Sequence, residues 1–168
     1  MKVVFEYKCT LTPIGELCFV VRENNIFSLH RREKVRVSEG RYGGPYADLF
    51  EEELHEYFQG KRKLFSFEPV ITGSPLRRKV LEETLKIPYG STTTYKSIAT
   101  KLSTSPRAIG RILKTNNILL VVPCHRIIKA TGEPGGYTLG FQAKLYLLQL
   151  ENPQRTLSTL TKASFQLK

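Results

Sequence analysis

The chain opens on short apolar runs separated by turn residues: Val3-Val4-Phe5-Glu6-Tyr7, then Thr12-Pro13-Ile14-Gly15, then Leu17-Cys18-Phe19-Val20-Val21. β-Branched and aromatic runs on either side of a Pro and a Gly predict a β-hairpin. Asn24-Asn25 marks a second turn, and Ile26-Phe27-Ser28-Leu29 reads as a third strand of the same meander. His30 to Pro45, which carries Gly40, Gly43 and Gly44, reads as a surface loop or a ragged edge. From Tyr46 to Gly60 the period becomes helical. Leu49, Phe50, Leu54, Tyr57 and Phe58 fall on one face, Glu51, Glu52, Glu53 and Glu56 mostly off it, and Gly60 serves as the C-cap.

Residues 61–75 form a linker with one extended piece near Phe65–Ile71. Ser74-Pro75 then starts a helix, because Ser accepts from orphan backbone N–H groups and Pro suits the first helical position. Its apolar positions are Val80, Leu81 and Leu85, and Pro88 and Gly90 end it. Thr94–Leu102 and Pro106–Thr115 are two short helices separated by Ser103-Thr104-Ser105. Ile98, Ala99 and Leu102 are spaced to pack on Ile109, Ile112 and Leu113, which fits either a helix-turn-helix or an ordinary helical hairpin. The predicted fold class is α/β of the α+β kind: a small N-terminal β-sheet plus helix domain over 1–73, then a mostly helical C-terminal domain with a helix-turn-helix over 74–152. Residues 153–168 form a tail.

Charge sharpens this division. Among the 168 residues, 26 Lys and Arg face 15 Asp and Glu, a net charge of +11. Residues 1–73 hold 11 basic and 11 acidic side chains, and residues 74–168 hold 15 and 4. The whole excess lies in the second part, which points to a polyanion: nucleic acid first, an anionic membrane surface second, with a merely solvated surface as the plain alternative. No apolar run approaches the roughly 18 to 20 residues of a membrane helix. The N-terminus lacks a signal-peptide layout, so a cytoplasmic protein without membrane association is expected. Cys9, Cys18 and Cys124 are too few and too scattered for a disulfide scaffold, and no CxxC pair suggests zinc.

After the second short helix come Asn116-Asn117, five apolar residues Ile118 to Val122, and Pro123-Cys124-His125-Arg126. The apolar run reads as a buried extended segment that delivers one cysteine and one histidine at its end. A lone cysteine is usually simple packing. Against that, His125 and Arg126 supply positive surroundings that favour thiolate, and the Gly-rich stretch Lys129–Gly140 forms a loop able to wall a pocket. Adjacent side chains of an extended segment point opposite ways, so His125 would reach Cys124 through a water. A carboxylate is expected to orient the imidazole, and Glu151, near the end of a closing helix from about Ala143, is the obvious source.

Pro-Cys-His-Arg after an apolar run and an Asn, before a Gly-Gly-Tyr loop, and after Pro-Arg-Ala-Ile-Gly on the second short helix resembles the O6-alkylguanine-DNA alkyltransferase family of direct DNA-repair proteins. The resemblance covers residues 74–152 closely and the N-terminal domain more loosely. It implies that Cys124 accepts the alkyl group from guanine O6, irreversibly and once per molecule, and extends to O4-alkylthymine as a substrate. His125 would act through a water as base, and Glu151 would orient His125. Asn116 would tie the helix-turn-helix to the active-site segment, and Tyr95 would donate a hydrogen bond to a guanine ring nitrogen. The backbone around Thr138 would face O6, the carbonyls of Cys124 and Ile127 would accept from the exocyclic amine, and Tyr137 would belong to the pocket wall.

The same resemblance makes Arg107 the residue that fills the base stack when the nucleotide is flipped out. Small Ala108 and Gly110 would let the second helix approach the minor groove of double-stranded DNA. Arg77, Lys96, Lys101, Arg111 and Lys114 would neutralise phosphates and offset the few kcal/mol that base flipping costs. No cofactor and no metal are expected, and Cys9, Cys18, His30 and His55 do not fall on the zinc pattern of some relatives. A monomer is expected. Leu139 stands where many relatives carry glycine, which predicts a narrowed pocket. Cys9 and Cys18 flank the Pro13-Ile14 turn nearly symmetrically; two separate strand thiols are the expectation for a reducing interior, a disulfide the alternative. A non-catalytic helix-turn-helix damage-binding protein remains the competing function, and a cysteine hydrolase a weaker one.

Overall fold

The computed structural model describes residues 4–154. Two units are distinguished: one holds residues up to Ile71 together with Asn117–Val121, the other Thr72–Asn116 and residues from Val122 onward.

In the first unit, β1 (Glu6–Thr12), β2 (Gly15–Arg22) and β3 (Asn25–His30) form an antiparallel meander. The first strand lies later in the chain than the pattern of Val3–Tyr7 predicts, and Val3 is outside the described residues. The tight turn decides this. Thr12 pairs with Gly15, Thr12 Oγ1 donates to Gly15 O at 2.6 Å, and Gly15 takes φ +106°. That register sets Cys9 opposite Cys18, with Cα atoms 4.0 Å apart, and the two are joined as a disulfide. The expectation of two separate thiols is therefore corrected: pairing register places the sulfurs together, which compartment arguments do not address.

Short β4 (Arg41–Tyr42) and β5 (Glu68–Pro69) run parallel to β1 and β3 and complete the order β4-β1-β2-β3-β5. Helix α1 (Pro45–Phe58) buries Ala47, Phe50, Leu54 and Tyr57, the spacing of one helical face. Two acids in this unit are buried for structural reasons. Glu6 accepts from the Tyr46 and Ala47 N–H groups at 2.9 and 2.8 Å at the start of α1 and pairs with Arg41. Any Cβ on Gly44 would strike that carboxylate. Glu53, expected on the wet face, is buried; it accepts from the Ser66 N–H at 2.9 Å and pairs with Arg62 at 3.4 Å.

Asn117–Val121 joins this first unit, although the sequence pattern groups it with residues 74–152. Leu29 N–H donates to Asn117 O at 2.8 Å and Leu119 N–H to Leu29 O at 2.9 Å. The extended segment expected over Ile118–Val122 is corrected as well. A single bridge at Ile118 gives way at once to a buried turn, with Leu120 at φ +66° and Val121 N–H donating to Leu119 O at 2.8 Å. Continuous apolarity reports burial, and here a buried turn satisfies it as well as a strand would.

In the second unit, α2 (Pro75–Leu85) starts where Ser74 accepts from the Arg77 N–H. Thr94 caps α3 (Tyr95–Lys101) by accepting from Ser97 N–H, and Ser105 caps α4 (Pro106–Leu113) by accepting from Ala108 N–H. Residues 102–105 join α3 to α4, with Ser103 at φ +52°. Strand β6 (Thr93–Thr94) pairs in parallel with β7 (Ile127–Ile128), fixing the start of α3 beside the Cys124–Arg126 turn. Helix α5 (Phe141–Glu151) closes the unit. The expected tail from 153 lies, from residue 155, outside the described residues.

Candidate active site

Cys124, His125 and Arg126 form one 3-10 turn, not the end of a strand. It follows Pro123, and Cys124 N–H donates to Val122 O at 2.8 Å. The turn buries all three side chains. Asn116, itself buried, donates through Nδ2 to Val122 O at 3.0 Å and to Cys124 Sγ at 3.2 Å. One amide thus fixes the chain leading to the cysteine and touches the thiol.

Burial pushes the Cys124 thiol above its ordinary range, and the Asn116 hydrogen bond and the charge of Lys144 oppose this only in part. The thiol is therefore protonated at rest and needs a base. This corrects the expectation that Arg126 favours thiolate. The guanidinium turns to Glu151, donating from Nε to Oε2 and from Nη2 to Oε1, both at 2.8 Å, and from Nη1 to Ile87 O at 2.7 Å. A buried Arg finds its lowest energy in a bidentate carboxylate pair.

Glu151 also accepts from His125 Nε2 at 2.8 Å and from Gly90 N–H at 3.2 Å. These donors, His125 first and Arg126 next, outweigh burial and hold its carboxyl well below the usual range. Burial lowers the His125 pKa more than Glu151 raises it, so the imidazole is neutral. With the proton on Nε2 facing the carboxylate, Nδ1 carries the free lone pair. Nδ1 and the Tyr137 hydroxyl are buried polar atoms that bond to no other side chain or backbone group.

Cys124 lines a largely apolar cavity of about 850 Å³, bounded by Tyr95, Gly110, Leu113, Gly136, Tyr137 and Thr138 among others. The Lys129–Gly140 loop supplies one wall, as its glycines suggest. Gly135 has φ +76°, and a Cβ there would lie 3.1 Å from the Tyr95 hydroxyl, so only glycine lets the loop approach this closely. Burial raises the Tyr95 pKa, which makes its phenol a donor at neutral pH.

Of the residues singled out in the sequence, Cys124, His125, Glu151, Asn116, Tyr95, Tyr137 and Thr138 come together here. Two are placed differently from expectation. Leu139 is buried, 4% exposed, and is not among the residues bordering the cavity, so it does not narrow the pocket. Thr138 and Leu139 lie in a turn closed by Gly140 N–H donating to Tyr137 O at 3.0 Å, in which Leu139 is buried while Thr138 borders the cavity. The Ile127 carbonyl accepts Lys144 Nζ at 2.6 Å, which leaves one lone pair for any exocyclic amine.

Lys96 and Lys114 stand at the cavity rim beside Gly110; Arg107 and Arg111 lie exposed at i and i+4 on α4, Lys114 lies exposed at its C-cap, and Ala108 is partly covered. Arg77 is instead engaged within the protein, by Thr72 O, Thr115 Oγ1 and Thr115 O, and Lys101 pairs with Glu83. Sequence reasoning missed Lys144, whose side chain is fully buried. The signal was present: Lys144 shares one helical stripe with Leu148 and Glu151 and interrupts an apolar face.

Comparison with known proteins places the chain in a family. Residues 75–153 match the family described as 6-O-methylguanine DNA methyltransferase, DNA binding domain. The chain is 36% identical over 152 residues to the methylated-DNA–protein-cysteine methyltransferase of Metallosphaera sedula, covering 88% of this chain and 94% of that one. It is 47% identical over 103 residues to the protein of the same name from Saccharolobus solfataricus, covering 61% and 67%. Among solved structures, Mycobacterium tuberculosis OGT in complex with DNA superposes with a TM-score of 0.79 at 30% identity, over 92% of this chain and 98% of that one. The matched family and relatives define the class, a DNA-binding alkyl-transfer protein of DNA repair. The chain belongs to the methylated-DNA–protein-cysteine methyltransferase family.

Proposed function

We propose that this protein restores guanine and thymine in DNA by moving the alkyl group of O6-alkylguanine, and of O4-alkylthymine, irreversibly onto Cys124. The observation that carries the assignment is the cluster Asn116–Cys124–His125–Glu151 beside a cavity large enough for a nucleobase. Neutral His125 takes the thiol proton through a bridging water at Nδ1, and Glu151 holds the imidazole in the tautomer that allows it. The thiolate attacks the alkyl carbon, and the carbon–O6 bond breaks. Tyr95 donates to the guanine ring nitrogen on the minor-groove edge as negative charge develops on the base. The backbone around Thr138 faces O6, and Tyr137 completes the wall. The product thioether is stable, which makes each molecule single-use.

An alkyl group on O6 is out of reach inside the duplex, so the nucleotide is flipped into the cavity. Arg107 fills the stack, Ala108 and Gly110 give α4 close approach to the minor groove, and Lys96, Arg111 and Lys114 meet phosphates. We assign these tasks to residues 74–152 and a scaffold role to 1–73, in a monomer acting in the cytoplasm on chromosomal DNA. The described residues include no helix long and apolar enough to cross a membrane. The deciding test is incubation with a duplex carrying O6-methylguanine, followed by intact mass and peptide mapping. One added methyl on Cys124, absent from Cys124→Ala, is expected. Unmodified protein that still binds the lesion would make this a damage-binding protein instead.

A further inference from the structure

Asn116 reaches the Cys124 sulfur with its amide, yet its backbone lies two residues beyond Lys114, the C-cap of α4. The last carbonyls of a helix have no helical partner, so this stretch needs something else to hold it. Arg77, in the first turn of α2, meets it there. Its Nε donates to Thr115 Oγ1 and its Nη2 to Thr115 O, each at 3.0 Å, while Nη1 donates to Thr72 O. Thr115 Oγ1 also donates to Ile112 O at 2.7 Å, back into the last turn of α4.

A planar guanidinium holds its donors in a fixed fork, so it secures two oxygens of one residue at once. The negative end of the α4 dipole favours a cation at this place. Gly73 leaves room for the side chain, because a Cβ in its place would lie 2.9 Å from Arg77 Cδ. Burial lowers the Arg77 pKa from its ordinary value, as for a guanidinium turned into the protein, and the group stays a cation at any working pH.

We propose that Arg77 is a positioning residue for the alkyl acceptor: by fixing Thr115 it keeps the next residue, Asn116, where its amide meets the Cys124 sulfur. The consequence for repair rests on the alkyl-transfer reading above. From Thr115 the path is short, since Asn116 Nδ2 donates to Val122 O at 3.0 Å and to Cys124 Sγ at 3.2 Å. On the other flank Asn117 is tied down separately, its Nδ2 donating to Phe27 O at 3.0 Å and its carbonyl accepting from Leu29 N–H at 2.8 Å. Arg77 supplies the hold on the α4 side. Loosening Thr115 lets the amide leave the sulfur, and the thiol then ionises less readily, because the Asn116 hydrogen bond works against burial. The titratable groups facing Cys124 keep their places: His125 in the turn, Tyr137 on the loop, Tyr95 on α3, and Lys144 on α5, which donates to the Tyr95 hydroxyl at 3.5 Å.

The test follows iodoacetamide labelling of Cys124 against pH, with single-turnover methyl transfer from an O6-methylguanine duplex. Arg77→Met is compared with the unaltered protein and with Arg78→Met, which removes the neighbouring exposed cation that donates to Gly73 O. Arg77→Met should raise the labelling midpoint by about half a pH unit to one unit and slow transfer at pH 7 by about 3- to 10-fold. Above the midpoint its labelling rate should rejoin that of the unaltered protein, whereas Arg78→Met should behave as unaltered throughout. In an Asn116→Ala background Arg77→Met should add no further shift, since no amide remains to be positioned. Thr115→Ala leaves Arg77 in place and removes the hydroxyl it meets; it should shift the midpoint the same way, and it carries the test if thermal unfolding shows Arg77→Met unfolded. An unmoved midpoint, an equal shift from Arg78→Met, or an undiminished shift in the Asn116→Ala background overturns the proposal. So does a flatter salt dependence of duplex binding with the midpoint unmoved, which would assign Arg77 to a DNA phosphate. An unaltered protein whose Cys124 labels but takes no methyl from the duplex overturns the alkyl-transfer reading, and the labelling midpoints still judge Arg77.

Discussion

Glu151→Gln isolates what the buried carboxylate contributes. Glu151 accepts from His125 Nε2, from Nε and Nη2 of Arg126 and from Gly90 N–H, at 2.8, 2.8, 2.8 and 3.2 Å. The amide keeps the volume but offers one acceptor oxygen and no charge. Arg126, 5% exposed, is then a buried cation without its counter-ion. Breaking a buried pair from one side costs about 3–5 kcal/mol. At about 2–4 °C of melting temperature per kcal/mol for a chain of this size, the fall is roughly 6–20 °C. The carboxylate's folded pKa is depressed, so its stabilisation is present above the unfolded value of 4.5 and fades as pH falls below that toward the folded value. The variant should therefore lose most at neutral pH and converge on the unaltered protein in acid. Adding Arg126→Met should restore much of the stability, because the orphan charge is gone, without restoring methyl transfer, because His125 remains unoriented. Calorimetry between pH 3 and pH 8, paired with single-turnover transfer, reads both. A Glu151→Gln protein within about 1 kcal/mol of the original at pH 7 would refute the reasoning.

Asn116→Ala should raise the thiol pKa further and slow both iodoacetamide labelling and methyl transfer; the pH dependence of labelling checks it, and an unchanged midpoint would remove the role given to the 3.2 Å contact. Leu139→Ala should cost about 2–5 kcal/mol as a core truncation yet leave the rate of inactivation by free O6-benzylguanine unchanged, since the side chain lies away from the cavity. Replacing Arg111 and Lys114 by alanine should flatten the salt dependence of DNA binding while leaving reaction with the free base intact; an unaltered salt slope would place the DNA elsewhere. Cys9→Ser with Cys18→Ser should lower stability by about 2–3 kcal/mol, the chain entropy of closing a loop of nine residues' separation, with transfer unaffected.

Local rules account for what could be read along the chain. The caps Ser74, Thr94 and Ser105 act within three residues, so α2, α3 and α4 begin where composition says. The apolar face of α1 and the hairpin turn at Pro13-Ile14 are likewise short-range. Cys124 and His125 are neighbours in sequence, and a basic second half is a matter of counting. The resemblance carried by Pro-Cys-His-Arg then supplied partners that spacing alone leaves open.

What failed, or was invisible, depends on residues far apart in the chain. An apolar pentapeptide is equally content as a strand or as a buried turn; Leu29 bridges only Ile118, and the residues beyond it turn at Leu120, with Val121 N–H donating to Leu119 O. Arg126 abandons the thiol because a carboxylate 25 residues away offers a bidentate partner. Leu139 faces the core rather than the pocket because the loop's path decides which side chains point in. Lys144 becomes part of the site only when α5 is laid across the turn and α3. By itself, then, the sequence determined the hairpin, the helices, the division of charge and the candidate nucleophile, all properties of local pattern and residue type. The tertiary structure decided which nitrogen of His125 is free, where Arg126 spends its charge and which lysine meets Tyr95, because burial and long-range pairing set protonation and direction.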